Sequence, residues 1–189
     1  KIIKVSDSSD VSEVLDAIKN QLITADALIT FAEIRTKTAA LVCAELGLRG
    51  SNVEAIEIAQ DKYQFRQVLR DKGVEQVKCL RLGREEELDS LDKKINFPCF
   101  VKPVQGHSSI GARLCHSEDD IRNTMNLLAQ TSEDCVSSEV VIEDYLAGEL
   151  ISVEILTVGA GLHQIVGISD RDVVKQSVEI GASFPLQHS

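Results

Sequence analysis

The sequence predicts a mixed α/β chain in three parts: the end of a doubly wound α/β segment, a small β-α-β-β-α-β unit, and the start of a strand-rich lobe. Three observations carry this. Residues 1–60 alternate helical apolar faces with short apolar runs, the rhythm of a parallel sheet wound with helices. Residues 76–144 place strand-like runs around a charged helix and a capped helix. From 145 onward strand-like runs succeed one another with only tight turns between them.

In the first part, Val11, Val14, Leu15, Ile18 and Leu22 recur at i, i+3, i+4, i+7 and i+11, one face of a helix. DALITF (26–31) reads as a short strand, and TAALVCAELGL (38–48) as a helix with Gly47 as its C-cap. Ser51 and Glu54 make a capping-box pattern ahead of another short helix. No G-x-G-x-x-G follows a strand, so a dinucleotide site is not expected. DKYQFRQVLRDKGV, from Asp61, reads as a helix closed by Gly73 and forms a linker over 61–75.

The second part (76–144) reads as strand 77–82, charged helix 84–93, strand 98–104, strand 111–115, a helix capped by Ser117 and Asp120, and strand 139–143. REEEL (84–88) is most simply a solvated helix face. In the third part (145–189), ELISVEILTVG (149–159) and LHQIVGISD (162–170) flank a turn at Ala160-Gly161. VVKQSVEIGASFP (173–185) reads as a third strand and its exit. Three strands without a partner helix leave sheet faces that something must cover, which points to a piece of a longer protein.

Composition narrows the function. At 189 residues and 43% hydrophobic, the chain can bury a sizeable core. A formal net charge of −10 and the absence of Trp argue against nucleic acid as partner. An anionic ligand must therefore be drawn by a local group of donors. No apolar run approaches the roughly 20 residues of a membrane span, and KIIKVSDSSD has no signal-peptide core, so no membrane is expected. Cys43, Cys79, Cys99, Cys115 and Cys135 are dispersed and form no C-x-x-C, which fits reduced, mostly buried thiols in a cytoplasmic protein.

The stretch FPCFVKPVQGHSSIGARLCHS (97–117) holds the chemistry. Lys102 lies on a strand that feeds a loop bounded by Gly106 and Gly111, with His107, Ser108 and Ser109 between them. Glycines let backbone approach a ligand closely, and successive N–H groups in a tight turn make an anion-binding concavity. This is not a Walker A loop, since no Gly-Lys-Ser/Thr opens a helix. Composition alone fits an ordinary hairpin equally well. Similarly, Glu143 in VVIEDYLAGE (140–149) is either a solvated strand end or part of a base pocket at a crossover. His163 reads as structural or on the surface.

Taken in order, DKYQFRQVLRDKGV, FPCFVKPVQGHSSIGA and VVIEDYLAGELISVEIL resemble the ATP-grasp superfamily, and within it the carboxylate–amine ligases such as L-amino-acid ligases and D-alanine–D-alanine ligases. ITADALITFAEIRTKTAALVCAELGLRG resembles the end of the pre-ATP-grasp domain of the amino-acid ligase branch. The resemblance implies a partial pre-ATP-grasp domain over 1–60, an ATP-grasp lid over 76–144, and an incomplete C-terminal lobe over 145–189. It implies ATP and Mg²⁺ as cofactors, with small carboxylate and amine substrates, amino acids among them. The implied reaction forms an amide through an acyl phosphate. A homodimer of the intact protein is also an expectation. A bicarbonate-activating enzyme like biotin carboxylase, or a degenerate nucleotide-binding module, stays open beside it.

By position, the resemblance implies that Lys62 contacts an ATP phosphate and that Lys102 reaches the phosphates near the adenine. Gly106, His107, Ser108, Ser109 and Gly111 match the loop that closes over the triphosphate. Glu143, Asp144, Tyr145 and Leu146 match the hinge, with Glu143 taking the adenine amino group. Glu179 and the following GASFP resemble a segment near the substrate carboxylate. A ribose-binding glutamate is expected where Leu150 stands, with Glu149 one residue early. One residue in a strand reverses the face, so either a bulge restores Glu149 or the contact is lost. His107 stands where glycine is common and is expected to stiffen the loop. The metal-binding Glu and Asn and an active-site arginine are expected beyond residue 189, so no catalytic residue is named and the fragment alone is expected to be inactive.

Overall fold

The computed structural model describes residues 2–83, 85–91, 94–131, 136–157, 159, 161–174 and 178–186, the side chains of 85, 86, 178 and 179 excepted. Helix α1 (Val11–Asn20) is capped by Asp10, whose carboxylate accepts from the N–H groups of Ser12 and Glu13. Leu22, expected on its apolar face, lies past its end at φ 48° and is exposed. Helix α2 (Thr36–Leu46) ends as expected on left-handed Gly47, whose N–H returns to Ala44 and Cys43. Helix α3 (Val53–Gln60) is capped by Asn52, accepting from Ala55, and not by Ser51.

The expected strand 26–31 is a correction. Only Ala27 forms a bridge, parallel to Arg49, and Ile29 and Phe31 are exposed. A strand persists through its ladder, and among the described residues no second strand lies beside this run.

Helix α4 (Lys62–Asp71) is capped by the buried carboxylate of Asp61 and closed by Gly73 at φ 69°. Four strands follow: β1 (Cys79–Leu82), β2 (Cys99–Pro103), β3 (Arg113–Cys115) and β4 (Val140–Asp144), in an antiparallel sheet of order β1-β4-β2-β3. The charged segment expected as an α-helix is a 3-10 helix over Glu85–Ser90 in its described part, with residues 84, 92 and 93 outside it. Like charges three and four residues apart repel along an α-helix, which disfavours the longer form. Helix α5 (Glu118–Ala129) begins with the expected capping box of Ser117 and Asp120.

Period-two alternation sorts the sheet's two faces. Leu82, Cys99, Val101, Cys115, Val140 and Ile142 point one way and pack with Ile121, Met125 and Leu128 of α5. Cys79 and Val141 point the other way, with Tyr63 of α4 packed beside them. β4 is central, and its first four residues are buried.

A second antiparallel sheet holds β5 (Ile151–Thr157), β6 (His163–Val174) and β7 (Val178–Ser183), in that order. Here the expected third strand from 173 is corrected. Val173 and Val174 end β6, and Val174 pairs with Val178 across a hairpin whose residues 175–177 lie outside the described part. Ala160 of the expected turn also lies outside it, and Gly161 takes φ 81°. No helix among the described residues is long and apolar enough to cross a membrane.

Candidate functional site

A cleft of about 1200 Å³ opens between the α4 face of the first sheet, the loop after β2, the chain leaving β4, and the C-terminal part of β6. Alternation explains its floor. Because Val101 and Ile142 face the α5 core, Lys102 and Glu143 must face the cleft. Register places Phe100 opposite Glu143 and Lys102 opposite Val141, so Lys102 is the diagonal neighbour of Glu143.

Glu143 is only 4% exposed, yet it is charged and fully engaged. Lys102 Nζ lies 2.6 Å from Oε2. Arg66 donates from Nε to Oε1 at 2.9 Å and from Nη2 to Oε2 at 3.3 Å. Arg66 also pairs with Glu75, whose Oε1 is buried without a partner among the described residues. Burial alone would push the Glu143 carboxyl up, but the Arg66 hydrogen bonds and the Lys102 charge outweigh it, and the carboxyl sits below its ordinary value. The Cys79 thiol, 3.9 Å from Oε1, is pushed up to about 12 by burial and by the Glu143 charge.

Lys62, the first residue of α4, braces the loop. Its N–H donates to Val104 at 3.0 Å, and its ammonium donates to the Gly106 carbonyl at 3.0 Å. Burial and the nearby Lys102 charge lower its pKa. Two ammonium groups thus share one wall of the cleft, an arrangement that a polyanion would relieve.

The loop itself is strained. Ser108 and Ser109 both take the left-handed conformation, at φ 53° and 57°, and the Ile110 N–H closes the turn onto His107 at 3.0 Å. Consecutive non-glycine residues there cost about 1–2 kcal/mol each. The N–H groups of His107, Ser108 and Ser109 have no acceptor among the described residues, and the His107 ring meets the Ser108 hydroxyl at 3.1 Å. Gly111, at φ 72°, is not on the cleft wall. A Cβ there would lie 2.3 Å from Leu128 Cδ2, so this glycine lets the loop's second end press against α5.

Asp144, Tyr145, Leu146, Glu149 and Leu150 all line the cleft where the chain leaves β4. The bulges of the second sheet fall at Glu154/Ile155 in the β5–β6 pairing and at Asp172/Val173 in the β6–β7 pairing, so neither inserts a residue into the chain at Glu149. Glu149 also precedes the first ladder pair, Ile151 with Asp170, so strict strand alternation does not yet govern it. The side chain of Glu179 lies outside the described residues. Arg66 is not among the residues expected from the sequence, although its place four residues after Lys62 in the same helix sets both on one face. Nor are Asp170 and Asp172, which line the opposite side of the cleft from β6. Among the described residues no three His, Cys, Asp or Glu side chains gather to hold a metal ion.

The family model described as "D-ala D-ala ligase C-terminus" matches residues 53–178. D-alanine–D-alanine ligase A of Bacillus cereus is 35% identical over 109 residues, covering 57% of this chain and 34% of that protein. Alanine–anticapsin ligase of Bacillus subtilis is 29% identical over 169 residues, covering 86% of this chain and 34% of that protein. The chain thus spans about a third of the length of these relatives. In structure it is similar to the L-amino acid ligase of Bacillus licheniformis, with a TM-score of 0.69 at 17% identity over 89% of this chain and 38% of that one, a likeness of fold. The match spans α3, α4, the whole cleft floor and β6, and on that extent the chain belongs to the D-ala D-ala ligase C-terminus family.

Proposed function

We propose that this chain forms most of the ATP pocket of an ATP-dependent carboxylate–amine ligase. One observation carries the reading: Lys62 and Lys102 converge on a cleft whose rim is a strained turn with N–H groups that meet no acceptor among the described residues. That donor set suits a polyphosphate. Lys62, Lys102 and the 106–109 turn take the phosphates, while the backbone of Asp144–Leu146 beside Phe100 offers a mixed polar and apolar edge for a base. Glu149, which lines the same cleft, would take a ribose hydroxyl in this reading.

The reaction proceeds in two displacements. A substrate carboxylate oxygen attacks the γ-phosphorus of ATP, the bond to the bridging oxygen breaks, and ADP leaves. An amine then attacks the acyl carbon, phosphate departs and an amide forms. Phosphoryl transfer of this kind rests on positioning and charge neutralisation, which the two lysines and the turn supply. Mg²⁺ would supply further neutralisation in such a reaction; among the described residues no three His, Cys, Asp or Glu side chains gather to hold it. Family membership favours amino acids as both substrates. The test is calorimetry of the intact protein with ADP, followed by phosphate release from ATP in the presence of paired amino acids. Micromolar ADP binding and amine-dependent phosphate release are expected. Absence of ADP binding by folded protein would remove the reading.

A further inference from the structure

The cleft floor carries one more cation than the phosphate-binding reading uses. Glu143 holds two cations of different character. Lys102 is a single point of contact on a flexible stem, whereas Arg66 grips both carboxylate oxygens from a helix and is anchored behind by Glu75. Burial lowers the Arg66 guanidinium, but its bonds to Glu143 and Glu75 raise it further, so it stays charged. Among the described residues, the other titratable groups near Glu143 are Lys62 from α4 and Cys79 from β1, while Asp144, next in β4, points to the opposite face and bonds Asn96 and the Lys78 N–H. None of them donates a strong bond to the carboxylate among the described residues, the Cys79 thiol standing 3.9 Å off.

In the proposed pocket, a nucleotide draws Lys102 away from Glu143 toward phosphate. A buried carboxylate that loses its only cation takes up a proton. We propose that Arg66 is the standing counter-ion of Glu143: it keeps the carboxylate ionised when Lys102 leaves, so the lysine is delivered to the nucleotide without proton uptake. Arg66 is thus a positioning residue that touches no phosphate. This inference rests on the nucleotide reading above.

The experiment is ADP titration of the intact protein in buffers of different ionisation enthalpy, from about pH 6 to 9, where a buried glutamate without a counter-ion titrates. Proton uptake in Arg66→Met is expected to exceed wild type by between about half and one proton near pH 7. Its affinity should fall, relative to wild type, by up to about tenfold per pH unit as pH rises. Arg66→Lys should restore the wild-type proton count, and Arg66→Met/Glu143→Gln should abolish the excess. An unchanged proton count in Arg66→Met overturns the inference, as does an excess that survives in the double variant. Lack of ADP binding by wild type sinks the nucleotide reading itself, and the inference with it. Should Arg66→Met not fold, infrared difference spectra of wild type against Glu143→Gln decide. A carboxylate band retained on ADP binding supports the role, and a protonated carboxyl band overturns it.

Discussion

Lys102 and Glu143 stand diagonally across the β2–β4 pair with their charged groups 2.6 Å apart, although the direct partner of Lys102 in the register is Val141. Long side chains bridge such diagonals on one face of a sheet. The lysine is therefore aimed by a residue on the neighbouring strand, and both are exposed to the cleft only because Val101 and Ile142 occupy the other face.

In the proposed function, replacing Lys102 with Met removes a charged donor to phosphate while Arg66 still satisfies Glu143. A charge-assisted hydrogen bond is worth about 1.5–3 kcal/mol, so ADP affinity should fall about 10- to 100-fold with the fold intact. Calorimetry reads this directly. An affinity within twofold of wild type would take Lys102 out of the site.

Acid stability should depend on Glu143. Burial pushes its carboxyl up, the Arg66 and Lys102 contacts pull it down more strongly, and the folded value lies below the ordinary 4.5. A depressed folded value means stability that is present above about 4.5 and lost as pH falls through the folded value. Glu143→Gln should lower the melting temperature at pH 7 because two cations lose their partner, and the gap to wild type should close on acidification. Thermal unfolding over a pH series tests this, and a gap that stays constant into acid would assign the loss to shape instead of charge.

Gly111 and Gly47 make a matched pair, at φ 72° and 63°. An added Cβ at Gly47 meets nothing within 4 Å, whereas at Gly111 it meets Leu128 at 2.3 Å. Gly47→Ala should cost about 1 kcal/mol from backbone strain, and Gly111→Ala about 2–4 kcal/mol from strain and overpacking together. Urea midpoints at unchanged slope measure both, and equal losses would remove the packing role given to Gly111.

The Cys79 thiol, pushed up to about 12 by burial and by Glu143, carries almost no thiolate at pH 8. Cys43, Cys79, Cys99 and Cys115 are all free and buried. Labelling by a thiolate-directed reagent, followed by mass spectrometry, should reach Cys79 only through the unfolding transition. Modification of Cys79 itself in the native protein within minutes would contradict this burial.

Signals that act over a few residues are legible in the sequence. The Gly47 cap, the Ser117–Asp120 capping box and the hairpin that carries Lys102 depend on residues within a few positions of one another. The expected 26–31 strand failed because a ladder is a pairing property, and only Ala27 finds a neighbour. Asn52 displaced Ser51 as a cap because adjacent residues compete for the same N–H groups, and a one-residue choice is beyond periodicity. In the site, the residue types near the cleft were legible through resemblance, but the hold of Arg66 on Glu143 joins residues 77 positions apart and leaves no local trace. The environment of Glu149 was equally hidden, since it depends on where the β5–β6 ladder begins.

The two ends of the turn after β2 are fastened differently. Gly111 is wedged against Leu128 of α5, while Gly106 is tied by one ammonium, that of Lys62. The near end is also held by backbone: the Ser137 N–H donates to Gln105 at 2.9 Å and the Val104 N–H to Glu139 at 2.8 Å. The turn is thus a short bridge on two footings, and the strain of Ser108 and Ser109 is carried between them without being passed into β2 or β3.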